Sequence, residues 1–254
     1  MKIGFIGTGT IASAMIEGLM STKLNISSIT ISPRNEKIAA DLAARYSLVH
    51  IGVSNQHVID QSEIVFLCLR SQIAKDVLEA LKFNSSHLVV SVLAMAMAQE
   101  VSQWIGQSVY RAVPLPFVGE RKGLTPIYPD QPVLRTLFDA LGGTLSLKDE
   151  NQFNLMMTAG SLMGVYFNII ETSNQWLQKN GLDSFQASSF LSVMFGNLAD
   201  ETRKNSHPNY QNLESEFSTK NGTNELVSNC FRENGGNNAL IQSLDTAFER
   251  IKGQ

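Results

Sequence analysis

One glycine-rich stretch near the start constrains this chain more than anything else in it. The apolar residues 3–6 run into Gly7-Thr8-Gly9-Thr10-Ile11-Ala12, and Met15, Ile16 and Leu19 follow at helical spacing. A strand, a tight glycine turn and a helix in that order form the opening unit of a doubly wound α/β domain. Gly7 permits the turn, Gly9 lets the backbone approach a pyrophosphate, and Ala12 keeps the helix close to the strand. The unpaired amides at the helix start, carried by Thr10, Ile11 and Ala12, then face the phosphates of a dinucleotide. A turn without any ligand would use the same glycines, so the rest of the chain has to decide.

The first part alternates short apolar runs with helical patterns. Residues 29–32, 64–69, 88–93 and 109–113 read as strands, and residues 37–45, 73–81 and 98–105 carry helical spacing between them. That alternation predicts βαβ units, a parallel sheet and helices on both faces. A last helix over 133–141 ends at Gly142-Gly143, and residues 144–147 supply one more strand. From Asn151 the β signal fades. Phe153, Met156, Met157, Leu162, Val165, Tyr166, Ile169 and Ile170 populate one long helix that is apolar over much of its circumference. Gly181 stops it, and Asp183 with Gln186 has the spacing of a capping box that opens a helix to about Asn205. His207-Pro208 breaks that helix, a polar segment follows, and helices over 225–233 and 237–251 finish the chain. The expected organisation is a Rossmann-type doubly wound parallel sheet over residues 1–148 and an all-helical domain over 149–254. The apolar circumference calls for burial by a second copy, so a homodimer or higher homo-oligomer is expected.

Composition narrows the partners. The formal net charge of −3 gives no electrostatic footprint for nucleic acid. By inspection no apolar run approaches the roughly 20 residues that span a bilayer, so no membrane partner is expected. The opening residues lack the pattern of a signal peptide, which points to the cytoplasm. Cys68 and Cys230 lie far apart without ligand spacing, and His50, His57, His87 and His207 form no cluster with carboxylates or cysteines, so no metal is expected. Met95 and Met97, like the methionines of the long helix, read as gap-filling packing residues.

The second strand bears on which dinucleotide binds. An NAD site places an acidic residue at its end, about 20 residues past the glycines, to accept from the ribose hydroxyls. No carboxylate occurs between Glu17 and Glu36. The strand end instead reads Ser32-Pro33-Arg34-Asn35, a hydroxyl and a guanidinium fork suited to a 2′-phosphate. NADPH is favoured over NADH.

Taken together, the residues resemble those of the pyrroline-5-carboxylate reductases, which make proline from its cyclic imine precursor. Asn55 stands before Ser62-Glu63-Ile64 as a family asparagine does, and Leu69-Arg70-Ser71-Gln72 resembles a degraded Val-Lys-Pro segment beside the cofactor. The segment 91–94, ending at Ala94, also fits. Arg111-Ala112-Val113-Pro114-Leu115-Pro116 is similar to the family's Arg-x-Met-Pro-Asn-Thr-Pro, and Glu233-Asn234-Gly235-Gly236 to its closing segment. The resemblance implies NADP(H) contacts at Asn35, Asn55, Leu69, Arg70, Ala94 and Pro114, a small-molecule imine substrate, and a dimer of interlocked helical domains.

The departures are as specific. Leu115 stands where the family has Asn-Thr, Gly160-Ser161-Leu162-Met163-Gly164-Val165 replaces Gly-Ser-Gly-Pro-Ala-Tyr, and Thr219-Lys220-Asn221-Gly222-Thr223-Asn224 replaces Ser-Pro-Gly-Gly-Thr-Thr. The last of these is the loop that, by the resemblance, surrounds the imine. Thr219, Lys220 and Gly222 are its expected substrate contacts, with Lys220 a point charge for a carboxylate. Thr223 and Asn224 are the expected catalytic pair; Asn224 takes the place of a hydroxyl and relays protons poorly. Asn221 can adopt the left-handed backbone a glycine would use, which preserves the bend. Two other functions fit the same residues: a sister reductase acting on another imine or carbonyl, and a protein that binds NADP(H) without turnover.

Overall fold

The computed structural model describes residues 1–94 and 96–253; the packing role expected of Met95 lies outside the described residues. Eight strands form one sheet. They are β1 (Lys2–Ile6), β2 (Ser28–Ile31), β3 (Val49–Ile51), β4 (Ile64–Leu67), β5 (Leu88–Ser91), β6 (Tyr110–Ala112), β7 (Thr125–Tyr128) and β8 (Thr144–Ser146). Their order is β3-β2-β1-β4-β5-β6-β7-β8, so the first six positions follow the doubly wound order with its reversal between β1 and β4. Gly4 on the central β1 lies opposite Thr30 of β2 and Val65 of β4.

The helices of this part are α1 (Thr10–Met20), α2 (Glu36–Arg45), α3 (Asn55–Asp60), α4 (Ser71–Glu79), α5 (Ala98–Ile105), α6 (Pro132–Ala140) and α7 (Glu150–Gly160). They cover both faces. Ile3, Phe5, Phe66 and Phe138 sit in one core cluster with α1, and Ile6, Val65, Leu67 and Leu78 in the other with α4 and α5. The Phe5 and Phe66 rings stack 5.1 Å apart.

The sheet is not wholly parallel, which corrects the expectation. Ala112 pairs with Ile127 in an antiparallel register, and β8 runs parallel to β7. The reason is the connection from β6 to β7, which holds only a 3₁₀ turn, Pro116–Glu120, where a parallel return needs a crossover of a dozen or more residues. That turn is seated on α1: a Cβ at Gly18 would lie 2.3 Å from the Val118 carbonyl oxygen. Three short elements also escaped the sequence pattern. β3 buries only Val49, β7 contains Pro126, and α3 is a six-residue helix started by Ser54, whose hydroxyl accepts from the His57 amide at 3.1 Å.

The remaining helices are α8 (Leu162–Lys179), α9 (Ser184–Arg203), α10 (Tyr210–Glu216), α11 (Thr223–Glu233) and α12 (Gly236–Ile251). The chain divides into two compact units, Met1–Gly160 with Phe248–Gln254, and Ser161–Ala247. The single long helix expected from Phe153 onward is interrupted at Ser161, between α7 and α8. The capping box at Asp183 is present: its carboxylate accepts from the Gln186 amide at 2.9 Å, and Gln186 Oε1 accepts from the Asp183 amide at 3.3 Å. Gly181 takes a φ of +106°, as a helix stop requires. The polar segment after Pro208 contains α10, opened by Asn209, whose side chain accepts from the Asn212 amide at 3.0 Å.

One composition-based expectation needs correcting. Residues Glu150–Lys179 are, by length and composition alone, apolar enough to cross a bilayer, because Thr, Ser, Asn and Gln break the apolar run without adding charge. In the helical unit, α8, α10, α11 and α12 hold no buried residue. Phe167, Trp176, Phe185 and Phe190 are each more than 60% exposed.

Candidate functional site

The glycine turn after β1 is built by two different kinds of glycine. Gly7 has φ +100°, and a Cβ there would lie 2.4 Å from the Cys68 carbonyl oxygen, so both conformation and space demand glycine. Gly9 is different: a Cβ on it would meet no atom within 4 Å. Its lack of a side chain is not explained by packing, and it is the position where a ligand would come against the backbone. Gly9 is also the N-cap of α1, and no side chain caps that helix. The first amides of α1 are left for an anion.

The turn is stitched to the end of β2. The Gly7 amide donates to Ser32 Oγ at 2.9 Å, the Ser32 hydroxyl donates to Asn55 Oδ1 at 2.7 Å, and Asn35 Nδ2 donates to the Thr8 carbonyl at 3.2 Å. Asn35 also opens α2 as its N-cap. Gly7, Gly9, Arg34, Asn35, Leu69 and Arg70 together line an open cleft of about 590 Å³ at the switch point between β1 and β4. Among the described residues the Arg34 and Arg70 guanidinium groups make no ion pair, and both residues line the same cleft as Gly9 at the uncapped helix start. Glu36 also lines the cleft, one helical residue past Asn35. Arg70 and Leu69 continue into a neighbouring cleft that includes Ala94. Cys68 supplies the wall, its thiol pushed up to about 12 by burial, so it offers no thiolate near neutral pH.

Burial bears on three of the expected residues, and at Ser32 and Pro114 it corrects the expected side-chain contact. Ser32 is 1% exposed and its hydroxyl is committed to Gly7 and Asn55, so it shapes the turn instead of meeting a phosphate. The Ala12 side chain is fully buried and contributes close packing, leaving only backbone to a ligand. Pro114 is buried too, while its neighbours Val113 and Leu115 are half-buried and line a separate pocket.

Sequence reasoning assigned no role to Arg111, the largest fully buried side chain among the described residues. Its Nη1 donates to Glu150 Oε1 at 3.0 Å and to Asn154 Oδ1 at 3.1 Å, and its guanidinium lies 4.2 Å from the Phe153 ring centroid. Burial lowers its pKa from the usual arginine value, with Glu150 opposing the shift. Glu150 Oε1 also accepts from the Ala98 amide at 3.0 Å, so one ion pair joins β6 to the starts of α5 and α7. Removing one member of such a pair strands a charge and costs about 3 kcal/mol or more. The sequence signal was present, since an arginine inside an apolar strand has to find a buried partner.

In the helical unit the loop between α10 and α11 carries the other expected site residues. Asn221 has φ +60°, the left-handed backbone anticipated for it, and its amide donates to Glu225 Oε2 at 2.6 Å. The Gly222 amide donates to the Thr219 carbonyl at 2.8 Å, and a Cβ at Gly222 would lie 2.6 Å from Thr219 Oγ1. Asn224 Nδ2 donates to the Phe217 carbonyl at 2.7 Å. That bond ties the loop and leaves the second N–H of the amide without a partner among the described residues. The Thr223 hydroxyl makes no hydrogen bond among the described residues, and Lys220 lines an open polar cavity of about 620 Å³ with Glu214, Glu225 and Arg232. No group of three His, Cys, Asp or Glu side chains among the described residues could hold a metal ion.

A doubly wound sheet with an anion-receptive glycine turn at its switch point, followed by a helical unit, defines an α/β protein of the dinucleotide-binding type. Over 98% of its length the chain is 26% identical to the pyrroline-5-carboxylate reductase of Pseudomonas aeruginosa, covering 95% of that protein. It is 24% identical to pyrroline-5-carboxylate reductase 2 of Bacillus subtilis over the same share of this chain and 93% of the relative. From end to end the chain is similar to the pyrroline-5-carboxylate reductases. The family described as NADP oxidoreductase, coenzyme F420-dependent, matches residues 2–95. Among solved structures, the fold is similar to 1-pyrroline-5-carboxylate reductase from Streptococcus pyogenes, with a TM-score of 0.86 at 23% identity over 100% of this chain and 99% of that one. The NADP-bound pyrroline carboxylate reductase of Plasmodium falciparum gives 0.84 at 17% identity, over 99% and 97% of the two chains.

Proposed function

We propose that this chain reduces the C=N bond of a cyclic imine with NADPH, converting 1-pyrroline-5-carboxylate to proline. The observation that carries this reading is the end-to-end match to enzymes of that name, joined to a cleft whose uncapped helix start and two free guanidinium groups suit a cofactor with an added phosphate. The residues fit that cofactor. The amides of Gly9, Thr10, Ile11 and Ala12 would hold its pyrophosphate, Arg34 its 2′-phosphate with Asn35 beside it, and Leu69, Arg70 and Ala94 its far half. Ser32 and Asn55 act on the site by holding the turn, and Pro114 by setting the path of Val113 and Leu115. When bound, NADPH supplies the hydride that the imine carbon takes up.

The chain's own residues then have to bind the carboxylate, orient the ring and deliver one proton to the nitrogen. Lys220, with the backbone of Thr219 and Gly222, is proposed to grip the carboxylate. Thr223 carries the free hydroxyl of the loop and is the proposed hydrogen-bond donor to the imine nitrogen; Asn224 keeps the loop closed. Functionally the division is proposed at residues 1–148 and 149–254, which assigns α7 to the helical part. A second copy is the proposed cover for the exposed aromatic faces of α8 and α9, giving a homodimer or larger ring. The free cysteines suit the reducing cytoplasm, where the protein is proposed to act.

One observation favours a second reading, binding of NADP(H) without turnover: the residue after Thr223 is Asn224, an amide that relays protons poorly and donates to the Phe217 carbonyl. Steady-state assay with 1-pyrroline-5-carboxylate separates the two. Oxidation of NADPH that depends on the imine, and is at least tenfold faster than with NADH, is expected; tight NADPH binding without oxidation across cyclic imines would favour the second reading.

A further inference from the structure

A second cavity of the sheet unit lies where the proposed cofactor contacts end. Val113 and Leu115 leave β6 at its carboxyl end, Pro126 of β7 pairs beside them through the Val113 amide at 3.0 Å, and Leu145 on β8 continues the floor. Met156 and Gly160 of α7 form one side of the open pocket, with Leu115 Cδ2 3.8 Å from where a Cβ on Gly160 would stand. The pocket measures about 230 Å³, and no charged, hydroxyl or amide side chain lines it.

Two physical facts limit what can enter. A space of this volume with apolar walls has room for a group as large as a benzene ring and offers it contact with hydrocarbon alone. A carboxylate or other strongly hydrated group would lose its water there and gain no partner. Its position matters as much, because ligands of doubly wound sheets bind outside the carboxyl ends of the strands, and β6 ends on the same edge as the glycine turn and Ala94. The exposed aromatic faces that suit a second copy belong to the helical unit, whereas every residue lining this pocket belongs to the sheet unit.

We infer that this pocket receives a small alkyl or aryl substituent of the imine, so that the chain also reduces cyclic imines carrying such a group on the imine carbon. The inference rests on the proposed imine reduction. The chemistry balances as it does for pyrroline-5-carboxylate: one hydride from NADPH goes to the imine carbon, one proton from water to nitrogen, and NADP⁺ leaves. Leu115 is the residue that sets the preference, since an amide at that position would put a hydrogen-bonding group into the pocket wall.

The test compares kcat/KM for 2-phenyl-1-pyrroline and 2-methyl-1-pyrroline in the full chain and in Ala159→Leu, which extends a side chain into the pocket from α7. The phenyl compound is expected to be favoured at least about tenfold, the scale on which apolar pockets discriminate. That ratio should fall towards one in Ala159→Leu. In parallel, calorimetry of the NADP⁺-loaded protein is expected to show 2-phenylpyrrolidine binding at least about tenfold tighter than pyrrolidine, with the difference lost in the variant. If pyrroline-5-carboxylate is reduced but neither preference is found, the inference falls while the proposed function stands. If no imine is reduced, the proposed function falls, and the binding difference alone decides the pocket: present, it upholds an apolar ligand site; absent, it overturns it. Dissociation of the oligomer by Ala159→Leu, seen in sedimentation, would assign the pocket to a second copy and overturn the inference.

Discussion

Gly7 and Gly9 are two residues apart and do different work, and that difference can be measured. Gly7 cannot carry a Cβ because of the Cys68 carbonyl at 2.4 Å and its φ of +100°. Gly7→Ala is therefore expected to lower stability by about 2 kcal/mol or more, read from a urea midpoint. Gly9 sits at φ −100° with open space around it, so Gly9→Ala should leave the unfolding midpoint of the free protein unchanged. The same variant should weaken NADPH binding at least about tenfold, because the added methyl occupies the place of a phosphate; calorimetry reads that loss. Unchanged affinity would remove the pyrophosphate from the turn. At this scale the sequence was legible wherever a residue is needed for its backbone: Gly7, Asn221 and Gly181 all announce their conformations. It was not legible for Ser32, Pro114 or Asn224. Whether a hydroxyl, ring or amide faces a ligand or a neighbour depends on packing that spacing alone does not encode, and the Ser32–Asn55 bond spans 23 residues.

The seating of α1 decides where its free amides point. Gly18 lets the Val118 carbonyl come within 2.3 Å of a would-be Cβ, and the Leu141 side chain within 2.7 Å. Alanine is a better helix former than glycine by about 1 kcal/mol, but overpacking against a backbone carbonyl costs about 1–3 kcal/mol. Packing wins on these magnitudes. Gly18→Ala is expected to destabilise by about 1–2 kcal/mol in urea titration and to weaken NADPH binding, as α1 is pushed off its seat; a stabilised variant would show that the contact gives way. Elements with strong periodicity, such as α9 and β4, could be read from the sequence to within about two residues of their ends. Those missed share a cause: β3, β7, α3 and α10 are at most seven residues long and are fixed by a cap or by neighbouring strands, not by a periodic pattern of their own. The reversed direction of β7 was invisible for the same reason, since it follows from the 3₁₀ turn resting on α1.

The whole molecule divides its apolar surface unequally. Nearly all fully buried apolar side chains belong to the sheet unit, while the helical unit exposes Phe167, Trp176, Phe185 and Phe190. Such a face in water calls for a partner, and association of two copies is the proposed one. Sedimentation is expected to give a dimer or a multiple of it, and Phe190→Glu, a charge placed on that face, should shift the protein towards monomer; a wild-type monomer would contradict this. The dinucleotide half of the account was legible in one short motif, whereas the substrate half rests on a loop whose own residues depart from the family pattern. The central claim is that this chain moves a hydride to an imine carbon. It is tested most directly by incubating the protein with pyrroline-5-carboxylate and NADPH stereospecifically deuterated at C4, in separate reactions for each face. Proline bearing one deuterium at C5 from one of the two labelled cofactors is the expected product; proline free of label from both, or no proline at all, would contradict the account.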